Sequence, residues 1–272
     1  MFEKVNPSHP DKICDRIAGA IVDLAYELND NPHIAVECLN AGYNVSLVIE
    51  ADTSPSHEEI ERIVRRISPE AVHIAIQIRP QDQHLNDNQT TVIKCGDNGI
   101  FKGCPITAEQ RRLTDYMGRE YKANPTDGKA IVHNDYITHC QSHDYRKGVI
   151  DGIRYNPLGY WTGGPSVDTG ATNRKLGSDM GDAVTGGGIH GKDLSKADVT
   201  LNIIAHLRAQ ERQEPVEICC SIGDEYVDVC GEYIHYMDLV AEAKEYIDSL
   251  GGFEKLAEWG LIRPEEETCK SK

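Results

Sequence analysis

Residues 33–67 read "HIAVECLNAGYNVSLVIEADTSPSHEEIERIVRRI". "HIAVECL" and "NVSLVIEA" are rich in β-branched apolar residues and flank "NAGY", a short turn-forming run, so the pair reads as a hairpin. "SHEEIERIVRRI" then brings Ile60, Ile63, Val64 and Ile67 onto one face at helical spacing. The same order returns near the C-terminus. There "VEICCSI" and "EYVDVCGE" flank Gly223-Asp224, and "MDLVAEAKEYIDSL" follows as a helix that stops at Gly251-Gly252. A weaker copy lies between them, "KAIVHNDYITHC" followed by "YRKGVIDGI". Hairpin-plus-helix cores at 33–67, 129–153 and 216–250 imply an α+β protein with helices packed on mostly antiparallel sheets, one unit with no separable domains.

Ahead of the first core, "NPSHPDKICDRI" at 6–17 opens a helix in which Ile13, Ile17, Ile21, Leu24 and Leu28 form an apolar stripe. Ser8 is placed as its N-cap, and Asp11 three positions later completes a start resembling a capping box. A histidine, a carboxylate and a lysine (His9, Asp11, Lys12) thus crowd into one helical turn.

The chain of 272 residues is 39% hydrophobic, enough for one large core or two smaller ones. No apolar run approaches the ~20 residues that span a bilayer, and the first residues lack signal-peptide character, so a cytoplasmic location is expected. Nine cysteines without a C-x-x-C pair read as reduced thiols. A net charge of −16 argues against nucleic acid as a partner. Any anionic ligand must therefore meet a local concentration of cations, metal or backbone N–H.

That concentration lies between Asn156 and Asp198, where 10 glycines accompany Arg174, Lys175, Lys192 and Lys196 beside Asp168, Asp179, Asp182, Asp193 and Asp198. Glycine lets backbone N–H groups approach an anion, Arg grips phosphate in pairs of bonds, and Mg2+ takes one or two carboxylates plus phosphate oxygens. Within the stretch "GGGIHGK" has the spacing of a Walker A loop, but Asp193 follows where Ser or Thr is required and "SDMGDAVT" ahead of it is no strand. "HCQSHD" offers His139, Cys140 and His143 without a second pair to complete a zinc site.

"HPDK" at 9–12, "VECLNAGYNVSLVIEA" at 36–51, "CGDNG" at 95–99, "DGKAIV" at 127–132, "NPLGYWTGGPSVDTGATNRK" at 156–175 and "GGGIHGKDLSKAD" at 186–198 occur in the order in which they resemble S-adenosylmethionine synthetases. The resemblance implies a fold of three intertwined α/β repeats with pseudo-threefold symmetry. It implies transfer of the adenosyl group of ATP to the sulfur of L-methionine, with release of triphosphate that is then hydrolysed to pyrophosphate and phosphate. Carried over position by position, His9 sits against the departing triphosphate. Lys12, Lys129, Arg174, Lys175 and Lys192 supply its counter-charges. Asp11 and Asp198 hold Mg2+, two ions per site, and Glu37 holds K+. Asp97, Asp127, Trp161, Asp168 and Ile189 fall among the ATP contacts, Trp161 in place of a phenylalanine stacked on adenine. Glu50, Gln81, Asp168 and Lys196 fall at the methionine end, Gln81 being chosen over Gln77 and Gln83. Family members build the site between two subunits, so a homodimer is expected.

The chain departs from the family pattern at Pro7-Ser8, at Tyr160 in place of an arginine, and at Ile189 in place of a small residue. It also has an abbreviated segment after Gln81 and no C-terminal extension. These changes leave open a family-derived protein that binds a nucleotide or a partner subunit without catalysing alkyl transfer.

Overall fold

The first hairpin and its helix form as their periodicity requires. In the computed structural model, which describes residues 1–53, 55–82, 93, 98–134 and 136–265, β1 (Phe2–Val5) leads into α1 (Pro10–Leu28), β2 (Ile34–Ala41), β3 (Asn44–Ala51), α2 (His57–Ile67) and β4 (His73–Pro80). Next come β5 (Gly99–Gly103), α3 (Ala108–Ala123), β6 (Gly128–His133), β7 (Tyr136–Gln141), β8 (Gly148–Ile150) and β9 (Ile153–Tyr155). The remainder holds β10 (Gly170–Ala171), α4 (Leu176–Met180), a 3-10 turn at Gly181–Ala183, α5 (Ala197–Arg212), β11 (Val216–Cys220), β12 (Tyr226–Val229), β13 (Glu232–His235), α6 (Tyr236–Leu250) and α7 (Phe253–Trp259).

The chain is thus a mixture of helices and mostly antiparallel sheets. A four-stranded sheet runs β10-β2-β3-β4 and a five-stranded one β1-β6-β7-β9-β8, with two-stranded pairs β11-β5 and β12-β13. Two neighbours, β3–β4 and β7–β9, are parallel. Along β2, Ile34, Val36, Cys38 and Asn40 point inward while Glu37 and Leu39 stay exposed. The inward set packs with the buried face of α1, the α2 residues Ile60, Val64 and Ile67, and α5 and α6 in the main core. Each fully buried Ile contributes about 2 kcal/mol. A second cluster, with Phe2, Leu113, Tyr116, Val132 and Trp259, lies between the five-stranded sheet and α3. No helix among the described residues is long and apolar enough to cross a membrane.

Three sequence expectations fail for physical reasons. Residues 145–153 are not a helix: β8 and β9 form a hairpin through Asp151-Gly152, whose positive φ values of 50° and 80° match the tight reversal that Asp-Gly favours. β11 does not pair with β12. It pairs with β5, and β12 turns back on β13 through Cys230-Gly231, again at positive φ. Alternation reveals which face of a strand is buried, not which strand lies beside it. Finally, the apolar stripe of α1 ends early, since Leu28 is 49% exposed while Ala18, Val22 and Ala25 are buried in its stead.

Candidate active site

The N-terminus of α1 is capped by His9, not Ser8. The His9 Nδ1 accepts from the Asp11 N–H at 3.2 Å, while the Ser8 hydroxyl donates to the Pro125 carbonyl at 2.9 Å. Because Nδ1 accepts, the proton of the neutral ring is assigned to Nε2. The ring is neutral at pH 7: burial, opposed by Asp11 and reinforced by Lys175 and Lys129, pushes its pKa down to about 4.

Asp11 is buried, yet it is where the mouth's charges meet. One carboxylate oxygen accepts from the Ala171 N–H at 2.9 Å and lies 3.6 Å from the Arg174 Nε; the other is 2.9 Å from the Lys175 Nζ. The chain reaches this point because β10 pairs with β2 at Asn40 and Leu39, running its next residues past the start of α1. Thr172 then donates to the Glu37 carboxylate. Asp127 accepts from the Gly164 N–H at 3.0 Å, and burial, with the charges of Asp168 and Asp11 close by, pushes its pKa up to about 6. The Trp161 ring and the Asp127 carboxylate both close over Gly163, 2.5 and 2.6 Å from where a Cβ would stand. Lys129 completes the group from β6, ion-paired to Glu3 at 2.9 Å. Thus His9, Asp11, Asp127, Lys129, Trp161, Asp168, Arg174 and Lys175 share one mouth.

Lys12 does not face that mouth. It is fully buried, its ammonium 2.7 and 2.8 Å from the Asp179 oxygens, 3.1 Å from Asp15 and 3.3 Å from the His190 Nε2. Burial alone would pull the ammonium pKa down, but Asp179 and Asp15 together raise it. Asp15, Asp179 and His190 have the proximity of metal ligands, but the lysine ammonium already stands among them, so this trio does not suit a metal. It is an anchor: the Asn173 N–H donates to Asp15 at 2.7 Å, and the Asn173 amide pairs with the His190 backbone. Sequence reading missed Asp15, Asn173 and His190. Their only signal was proximity to "HPDK", "NRK" and "GGGIHGK", since nothing local shows that the three segments meet.

The other expected residues collect elsewhere. Lys192 forms a bridge to Ala35 of β2, and its ammonium is 2.7 Å from Asp198 near the start of α5, where Lys196 holds the N-cap position. Ala35 is paired with Glu50, which lies 3.8 Å from Arg79 on β4. Gln81, just beyond β4, is buried, and its side-chain oxygen has no hydrogen-bond partner among the described residues. No hydrogen bond or ion pair among the described residues joins this second group to the mouth. Ile189, expected among the ATP contacts, belongs to neither group: its side chain is fully buried in the main core. Asp97 and Gln83 lie outside the described residues. The run 186–192 follows a helix and a 3-10 turn, not a strand, and both ring nitrogens of His139 are engaged by Tyr116 and Gln141, so neither the Walker nor the zinc pattern has its context.

Residues 1–94 match the family profile described as the S-adenosylmethionine synthetase N-terminal domain. S-adenosylmethionine synthase 1 of Rhodopseudomonas palustris is 26% identical over 275 positions, covering 76% of this chain and 72% of that protein. The S-adenosylmethionine synthase of a Bradyrhizobium strain is 29% identical over 72% of this chain and 69% of its own length. The chain is thus similar in sequence to S-adenosylmethionine synthetases. Its fold agrees: a structure described as an unusual S-adenosylmethionine synthetase from Campylobacter jejuni superposes with a TM-score of 0.69 at 19% identity, over 96% of this chain and 93% of that one. The residues that the resemblance assigns to ATP and methionine contacts thus fall into two clusters that share no direct hydrogen bond or ion pair among the described residues.

Proposed function

We propose that this chain is an ATP:L-methionine S-adenosyltransferase. The observation that carries the reading is the convergence of His9, Asp11, Lys129, Arg174 and Lys175 at the N-terminus of α1, where free N–H groups and the helix dipole already favour an anion. Methionine sulfur would attack the 5′ carbon of ATP and expel the triphosphate, so negative charge grows on the bridging oxygen. The Nε2–H of neutral His9 is available to donate to that triphosphate, and Arg174, Lys175 and Lys129 supply preorganised positive charge. Alignment and charge suffice; no covalent enzyme intermediate is needed.

Mg2+ fits the oxygen donors Asp11 and Asp198, each of which now rests against a lysine free to transfer its pairing to phosphate. When bound, it would neutralise the polyphosphate. Glu37, with one carboxylate oxygen held by Thr172, is the residue toward K+. Glu50 and Gln81 form the methionine end, Lys196 lying on the neighbouring α5 cap.

The mouth and the Lys192–Asp198 pair share no direct hydrogen bond or ion pair among the described residues, and each site would draw one of them from a second copy of the chain. A homodimer with sites shared across its interface follows. Incubating the purified chain with ATP, methionine, Mg2+ and K+ should yield S-adenosylmethionine by mass spectrometry. Silence beside a working control overturns the proposal.

A further inference from the structure

Asn40 breaks the inward pattern of β2. Ile34, Val36 and Cys38 are apolar and buried, and the next inward position should be apolar too, yet it holds an amide that is 2% exposed. Burying an amide is costly unless it is fully bonded, and here the Asn40 Nδ2 donates to the Pro10 carbonyl at 3.0 Å, while the Asn40 Oδ1 has no hydrogen-bond partner among the described residues. Pro10 is the first residue of α1, between the cap His9 and Asp11. On the same strand pair, Asn40 sits opposite Gly170, whose backbone packs so closely on the Pro10–Asp11 peptide that a Cβ there would stand 2.2 Å from the Pro10 oxygen. The following residue, Ala171, donates its N–H to Asp11 at 2.9 Å. Two contacts, one from each strand, thus grip the Pro10–Asp11 peptide, and a third holds the Asp11 carboxylate beside it.

We infer that Asn40 is a positioning residue for the first turn of α1, setting where His9 and Asp11 stand in the mouth. It touches no expected substrate group itself and acts through the Pro10 carbonyl. The inference rests on the function proposed above for its consequence on turnover, but the grip itself is independent of that reading. A buried amide that costs stability and fixes one peptide of a charged site is the local inconsistency expected where function overrides packing.

The test uses Asn40→Leu, which removes the donor and the unbonded acceptor at similar volume, and Asn40→Ser, a smaller residue that keeps a donor. Asn40→Leu should lower kcat about tenfold through misplacement of the site, leave the KM for ATP within about twofold, and raise the Mg2+ concentration for half-maximal activity about threefold, as loss of a residue supporting a ligand does. Its melting temperature should be unchanged or higher. Amide hydrogen exchange of a peptide spanning 6–14 should accelerate in Asn40→Leu, with Asn40→Ser intermediate in both activity and exchange. Full activity, unchanged exchange, or parallel loss of melting temperature and kcat in both variants overturns the inference. If the wild-type chain makes no S-adenosylmethionine, the functional reading fails by itself; faster exchange in the variants still supports the grip, and equal exchange still overturns it.

Discussion

The mouth at α1 and the corner at Lys192–Asp198 carry the same kinds of residue in different settings. Asp11 is buried, held by a backbone N–H, and backed by the Lys12, Asp15, Asp179 and His190 anchor. Asp198 and Lys192 are about a fifth exposed and hold chiefly one another. The first is fixed by its surroundings; the second is a partly exposed pair with little else to hold it. Each carboxylate matched to Mg2+ is neutralised by a lysine, so an incoming polyphosphate would exchange partners with these pairs without leaving a charge unpaired.

Breaking either group should cost the most. Asp11→Asn and Lys192→Ala should each reduce kcat about 10²–10³-fold, measured under saturating ATP and methionine, because each removes charge aimed at the leaving group. The melting temperature should move little in both. A large loss in Asp11→Asn alone would make the mouth a complete site and the corner surface charge.

Mixing the two inactive variants sharpens the comparison. If each site takes its mouth from one chain and its corner from the partner, a mixed dimer has one site broken twice and one intact. Equal mixing with free exchange of subunits should then restore about a quarter of wild-type activity, half the dimers being mixed and each having one working site. No recovery, with mixed dimers demonstrated by mass, would place both groups of a site on one chain.

A smaller effect comes from the far half of α1, which serves packing. Asp23 accepts from the Phe253 and Glu254 N–H groups at the start of α7, and burial pushes its pKa up to about 6. A raised carboxylate pKa means that the native state binds the proton more tightly, so this contribution to stability is present at low pH and fades as pH rises from about 4 through about 6. Lowering the pH from 7.5 to 4.5 should shift the difference in unfolding free energy between wild type and Asp23→Asn in favour of wild type, by on the order of 2 kcal/mol. A constant difference across that range would show that Asp23 does not carry the proton linkage. Turnover at pH 7.5 should be the same in both.

The parts legible beforehand were those with a local signature. Ser56 and Glu59 form a reciprocal cap ahead of α2, Gly251 ends α6 at φ 93°, and the 33–67 unit follows its periodicity throughout. The helices α3, α5 and α7 carry weaker periodic patterns and become evident only in the structure. The 145–153 stretch is a hairpin and not the helix of a third copy, because Asp151-Gly152 is a chain reversal at positive φ. In the site, the charged residues were visible as types, but Lys12 looked identical to a phosphate-facing lysine until its partners from residues 179 and 190 were brought beside it.

What the residues determined alone was chemistry and period: an anion-favouring helix start, a glycine-rich segment with both signs of charge, and strands and helices spaced to bury one face. Tertiary structure decided which of His9 and Ser8 caps α1, which lysine faces inward, which strand lies next to β11, and that Lys192 pairs with Asp198 while Lys175 pairs with Asp11. The reason is range. Periodicity and capping act within a few residues, whereas burial, ion pairing and pKa depend on neighbours more than a hundred positions away, as Lys12 and Asp179 do at a separation of 167.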